Sequence, residues 1–275
     1  MIAMRNTRDQ GGGPPTERLR LTARSVIAST LLGLRPPELP TATLVATAEL
    51  LGVSAGTARV AISRMVAAGE LEPTGDGYRL AGHLLERHSR QDLSVRGAPE
   101  AWDGSWRTAI VPGEARTASE RVELRRAMAA LRFAELRDGA WMRPDNLPAG
   151  TLPWAEAAVA QATVAVVGRV DHGEHGDDGP TLAARLWPLE AWAAGAAALL
   201  AEVAPLQARL ERDDAGALAE SFVVAAAILR NLQADTLLPL ELLPRTWPGT
   251  DLRTTHARFD RSFRRVLRAW HLARR

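Results

Sequence analysis

The sequence predicts an α+β chain built in three parts, and three observations carry that expectation. Its opening third alternates helical periodicity with a glycine-rich hairpin signal. Its centre holds short apolar runs rich in β-branched residues, the composition of strands. From Thr181 onward, apolar residues recur at helical spacing almost without a break. A chain of 275 residues also exceeds one ordinary core, so several folding units are expected. The divisions read as a polar lead over 1–15, a first unit over 16–95, a second over 100–178 and a third over 180–275.

The lead, "MIAMRNTRDQGGGPPTE", is polar and glycine-rich, without the pattern of a secretory signal. A first helix is expected from about Thr16 to Gly33, with Leu19, Val26, Ile27, Thr30 and Leu31 at helical spacing, and "RPPELP" breaks it. A second helix follows Thr41, burying Leu44, Val45, Ala48 and Leu51, and "LGVS" turns the chain. Ser54 is a natural N-cap for a third helix that buries Ala58, Ala61, Ile62, Met65 and Val66 and stops at Gly69. "LEPTGDGYRL" then alternates around Gly75-Asp76-Gly77, a two-strand hairpin signal. Helix, helix, tight turn, helix and hairpin make a winged helix-turn-helix. On its third helix Ser54 lies at the start, and Ala55, Gly56, Thr57, Arg59, Val60, Ser63 and Arg64 lie off the buried stripe. Small residues there let the backbone approach a DNA groove, Arg59 and Arg64 reach bases or phosphates, and Arg79 in the wing reaches a neighbouring groove.

The middle unit is expected to hold strands at "WRTAIV", "AWMRP" and "ATVAVVGRV", with a helix capped by Thr117 or Ser119 and running through Ala130. That pattern fits a small ferredoxin-like unit. The third is helical: "LWPLEAWAAGAAALLAEVAPLQARLE", "ESFVVAAAILRNLQAD" and a closing "RFDRSFRRVLRAWHLARR". The second of these carries no charge between Phe222 and Leu229 and is expected deep in a core. The last sets Phe259, Phe263, Val266, Leu267 and Trp270 on one side, a stripe that suggests self-association.

Composition excludes several chemistries. The chain has no cysteine, hence no disulfide, thiolate metal site or cysteine nucleophile. Every basic residue is an arginine, which reconciles a net charge of +2 with a pI near 10.1. Arginine pairs bidentately with phosphate and guanine, but the overall balance alone says little about nucleic acid. The apolar stretches, interrupted by Glu, Arg, Gly or Pro, are expected to fall short of a membrane span, which places the protein in the cytoplasm without a membrane partner. "DHGEHGDDG", from Asp171 to Gly179, has the composition of a metal site but the glycines of a solvated loop, so no cofactor is assigned. His83 and His88 are expected on the surface of a linking helix. No phosphate loop, GxGxxG, GxSxG or Ser/His/Asp grouping is present.

Four stretches together carry a family resemblance: "GVSAGTARVAISRMVAAGEL", "WDGSWRTAIV", "ALRFAELRDGAWMRP" and "LPLELLPRTWPG". In this order they resemble the PaaX family of phenylacetate-degradation repressors, over nearly the whole chain from about Leu21. The resemblance implies a homodimeric repressor that reads double-stranded operator DNA and is released by an acyl-CoA thioester, typically phenylacetyl-CoA. It also implies the ferredoxin-like middle unit. Related units in a CRISPR-associated nuclease use an aspartate after the first strand, where this chain has Pro112 and Gly113, which speaks against nuclease activity. Trp106, Trp141 and Arg143 are the residues read as an aromatic wall and a phosphate contact for the effector. The rival reading is an enzyme acting on acyl-CoA or nucleic acid, with the winged helix as a docking module.

Overall fold

The computed structural model describes residues 22–97, 101–113, 116–170 and 178–274. The first helix, α1 (Ala23–Leu32), opens on a capping box in which Thr22 and Ser25 satisfy each other's backbone N–H. The described helix starts at Ala23, and the expected start at Thr16 lies outside the described residues. Residues 1–21, including the expected lead, lie outside the described residues.

The "RPPELP" stretch is more than a breaker. It contains β1 (Glu38–Pro40), followed by α2 (Thr41–Leu50), α3 (Ala55–Ala67), β2 (Leu71–Pro73) and β3 (Gly77–Leu80). The three strands form an antiparallel sheet in the order β1-β3-β2. β1 crosses β3 so closely that a Cβ on Gly77 would sit 1.9 Å from the Leu39 carbonyl oxygen, so only glycine fits there. Val26, Ile27 and Leu31 of α1, Leu44 and Ala48 of α2, and Ala58, Ile62 and Met65 of α3 close the core of this head.

The long α4 (Gly82–Arg96) leaves the head and packs against the rest of the chain. It corrects one expectation. His88 is buried, with Nε2 3.0 Å from the Leu34 carbonyl oxygen, whereas His83 is exposed. Burial keeps His88 below the ordinary imidazole pKa, so its Nε2–H donates as a neutral ring.

The middle of the chain runs β4 (Ser105–Ile110), α5 (Ala118–Ala130), β5 (Ala134–Arg137), β6 (Ala140–Pro144), α6 (Pro153–Ala162) and β7 (Val164–Arg169). Its antiparallel sheet has the order β5-β6-β4-β7. Thr117 caps α5, with Glu120 completing the capping box. The strand β5 and the helix α6 are additions to the sequence reading. α5 and α6 cover one face of the sheet around Ala109, Leu124, Met128 and Leu152.

The remainder is helical: α7 (Gly179–Leu186), α8 (Leu189–Glu211), α9 (Leu218–Gln233) and α10 (Gly249–Leu272). α8 and the run Ala215–Gln233 are long and apolar enough to cross a membrane by length and composition, contrary to the sequence reading. Here both contribute to one core with α10, through Trp192, Leu199, Leu206, Val224, Ile228 and Phe259. The Trp192 ring stacks on Trp247 with centroids 4.5 Å apart, and its Nε1 donates to the Asn231 carbonyl at 2.6 Å. α10 starts well before "RFDRSF", and its stripe is corrected too. Phe259 and Val266 are buried within their own chain, and Phe263, Leu267 and Trp270 pack partly buried on the same core. Most of that stripe thus packs on its own chain's core, with Phe263, Leu267 and Trp270 left partly exposed.

Three carbonyls at the C-terminal end of α1 tie the head to its surroundings. Gln91 donates to Leu32 O at 3.0 Å, Arg264 to Gly33 O, and His88 to Leu34 O. Carbonyls that a helix end leaves unpaired are thus satisfied by side chains of α4 and α10.

Candidate nucleic-acid interface

The geometry of α3 follows from its first residue. Ser54 is extended, and its Oγ accepts from the Thr57 N–H at 3.2 Å and contacts the Thr57 hydroxyl at 2.8 Å. The turn before it closes through the Val53 N–H donating to the Ala48 carbonyl at 2.9 Å, with Gly52 at φ +80°. α2 and α3 are thereby held at a fixed angle. Ala58, Ile62 and Met65 point inward, with Ala61 and Val66 half-buried, so one rotation of the helix decides everything else.

Gly56, Thr57, Arg59, Val60, Ser63 and Arg64 are all exposed, together with the cap Ser54. They form one continuous face rather than scattered positions, because their spacing is that of a helix surface. Among the described residues, neither the Arg59 nor the Arg64 guanidinium has a hydrogen-bonded or ion-paired partner. Val60, with 51% of its surface exposed, adds an apolar contact at the centre of that face. Two guanidinium groups with full donor capacity therefore flank a small, partly apolar strip, which matches a base edge bordered by phosphates.

The far end of α3 is anchored by a pair that the sequence reading missed. Glu70 is buried and receives both Nε (2.9 Å) and Nη2 of Arg24, from the first turn of α1. The guanidinium hydrogen bonds hold its carboxyl below the usual carboxylate range. Arg24, Thr57, Val60 and Arg64 also share one shallow cleft, so this pair stiffens the floor beside the exposed face. Nothing in the spacing of positions 24 and 70 signals it.

Arg79 stands opposite Glu72 in the β2–β3 register and donates to it through Nε at 3.0 Å and Nη2 at 2.7 Å. Both side chains are more than half exposed. Arg79 thus lies in the β2–β3 hairpin with its guanidinium engaged by Glu72.

The residues read as an effector wall are not brought together. In the sheet Trp106 pairs with Pro144 while Ala109 pairs with Trp141, which puts the two tryptophans on opposite faces. Trp106 is buried against Trp102 and Trp187. Arg143 is also buried, lying 5.4 Å from the Phe133 ring centroid and donating to the Pro144 carbonyl at 2.9 Å. Burial, reinforced by Arg107, lowers its pKa to about 10. These are interior roles.

Most of the possible metal loop, 171–177, lies outside the described residues; Asp178 caps α7 by accepting from the Thr181 N–H at 2.8 Å. Among the described residues no group of three His, Asp or Glu side chains is arranged to hold a metal ion.

Comparison with known proteins adds what geometry alone does not. The family model of PaaX-like proteins matches residues 22–84, that of the PaaX protein central Cas2-like domain matches 99–178, and that of the PaaX-like C-terminal domain matches 187–271. The chain belongs to the PaaX family. The solved structure of the uncharacterized protein Rv0674 from Mycobacterium tuberculosis is similar to it at 38% identity, covering 91% of this chain and 99% of that one, with a TM-score of 0.69. No curated protein matches. PaaX-family proteins are transcriptional regulators rather than enzymes.

Proposed function

We propose that this PaaX-family chain is a DNA-binding transcriptional repressor whose operator is read by α3 and released when an acyl-CoA thioester such as phenylacetyl-CoA binds. The observation that carries the reading is the exposed face of α3, where, among the described residues, the Arg59 and Arg64 guanidiniums stand without partners beside Val60. Ser54, Gly56, Thr57, Arg59, Val60, Ser63 and Arg64 are the proposed contacts in the major groove, with Arg79 on the flanking backbone. The three helices and three-stranded sheet of the head support a winged helix-turn-helix over 16–95. The βαββαβ order of the middle unit, with sheet order β5-β6-β4-β7, supports a ferredoxin-like domain over 100–178. The helices that follow form a third domain over 180–275. A cytoplasmic location goes with the reading.

A homodimer fits operator half-sites spaced by about one helical turn. With most of the α10 stripe packed on its own chain's core, the surface that suits self-association is β7. Every residue from Val164 to Arg169 is exposed, and Val164, Val166 and Val167 leave roughly half their surface in solvent along a sheet edge that no other strand pairs with among the described residues. An apolar edge strand of this kind is a template for pairing with a second copy.

The test is gel retardation of a fragment from the gene's own upstream region, with and without acyl-CoAs. Retardation that an acyl-CoA reverses is expected. Absence of any shift at moderate salt contradicts the reading.

A further inference from the structure

Between the head and the C-terminal helices lies a cavity of about 470 Å³, lined by α1, α2, α4, α9 and α10. That size falls in the range of small-molecule sites. Its walls divide into two kinds. One part is apolar, with Phe222, Leu229, Phe263 and Leu267 facing Ala28 and Leu39. The other is cationic: Arg24, Arg87, Arg230, Arg264 and Arg268 line it, against the single carboxylate of Asp260. Among the described residues, neither the Arg87 nor the Arg268 guanidinium has a hydrogen-bonding or carboxylate partner. Arg87 is half-buried, and burial together with the charge of Arg24 lowers its pKa. His256, only 7% exposed, contributes a buried Nδ1 with no hydrogen-bond partner. The His256 nitrogen is a buried polar atom of the kind that is normally paired, and the half-buried Arg87 and exposed Arg268 keep donors available for an anion beside the apolar wall.

We propose that this cavity binds an amphipathic organic anion, its acyl or aryl group against Phe222 and Phe263 and its anionic end among Arg87, Arg264 and Arg268. The shared chemistry has two sources, a free carboxylate and a thioester carrying phosphates. The location gives binding a consequence. The head is seated on α10 by Arg264 donating to the Gly33 carbonyl and by Thr47 Oγ1 lying 3.3 Å from His271 Nε2. An anion that draws Arg264 toward itself leaves the Gly33 carbonyl unpaired and loosens that seat. The consequence for DNA rests on the regulator reading above; the binding itself does not.

The experiment uses the full-length protein and anilinonaphthalene sulfonate, an aryl anion that fluoresces when bound, with phenylacetyl-CoA, phenylacetate and free CoA as competitors. Saturable binding is expected, weakened about tenfold by Arg268→Ala, the loss of one charge-assisted contact. Ala226→Trp, which fills the cavity, should abolish it, and Arg121→Ala on the outer face of α5 should leave it unchanged. Displacement by the thioester or by the free carboxylate assigns the source. If Ala226→Trp fails to fold, Arg268→Ala decides alone. No saturable binding, or binding unaffected by Arg268→Ala, overturns the site. Ligand binding without DNA retardation sinks the regulator reading and leaves this site standing; retardation without ligand binding does the reverse.

Discussion

The helices α3 and α10 share a plan, an apolar stripe flanked by arginines, yet their arginines stand in different surroundings. On α10, Arg258 holds Glu211 at 2.5 Å, Arg253 holds the buried Asp235 at 2.5 Å, Arg264 reaches Asp260 at 2.8 Å, and Arg265 reaches Asp213. On α3, Arg59 and Arg64 have no such partner among the described residues. An engaged guanidinium must abandon a carboxylate before it meets a phosphate, and an unengaged one need not. The basic character of a helix is therefore a poor guide to DNA contact, and the pairing of each arginine is a better one. Arg261 and Arg268 depart from the α10 pattern, with no hydrogen-bonded or carboxylate partner for their guanidiniums among the described residues, and Arg268 lines the cavity between head and C-terminal helices.

The comparison is broken most severely through the stripe of α10. Phe259 is fully buried. If the stripe is core, Phe259→Ala should cost about 3–5 kcal/mol of stability in urea unfolding, while Val60→Ala on the exposed face of α3 should cost no more than about 0.5 kcal/mol. Equal, small costs would return the α10 stripe to the surface. The association surface then follows as a second test. Val166→Lys on β7 should convert a dimer to a monomer in light scattering at micromolar concentration. A wild-type monomer, or a variant that stays dimeric, contradicts the assignment to β7.

Two smaller effects concern the head. Arg79 already holds Glu72, so Arg79→Ala should lower DNA affinity evenly across sequences and reduce the slope of log affinity against log salt by about one. An effect confined to the operator would make Arg79 a base reader. The Arg24–Glu70 pair gives a pH signature. Because Glu70 titrates below its unfolded value of about 4.3, its contribution is complete above that value and is lost as pH falls through the folded pKa. Thermal unfolding should therefore favour wild type over Glu70→Gln at neutral pH, and the gap should close as the solution is acidified through the lowered folded pKa. Arg24 is half exposed, so the gap is modest. A gap independent of pH would assign Glu70 a packing role only.

Much of the head was legible because its signals are local. Ser54 caps α3 as expected and Gly75-Asp76-Gly77 turns the hairpin, and in the middle unit the cap of α5 is Thr117, one of the two candidates. What escaped depends on partners distant in sequence. β1 has three residues, one of them proline, and is a strand only because β3 pairs with it. β5 reads "AELR", a helix-favouring composition overridden by its pairing with β6. The opposed faces of Trp106 and Trp141 follow from sheet register, which no count along the chain supplies. His88 looked like surface because its burial is set by α1 packing on α4. The cavity gathers positions from Arg24 to Leu272, and so has no local trace at all.

The most direct test sets the two helices against each other on DNA. Binding of the upstream fragment would be titrated for wild type, Arg59→Ala and Arg258→Ala at one fixed salt concentration, with thermal unfolding confirming that each variant folds. A guanidinium that reads a base is worth about 1–3 kcal/mol. Arg59→Ala should therefore bind about ten- to a hundredfold more weakly, and Arg258→Ala should bind like wild type. Undiminished binding by Arg59→Ala, or an equal loss in Arg258→Ala, would contradict the claim that the exposed face of α3 is the surface that reads DNA.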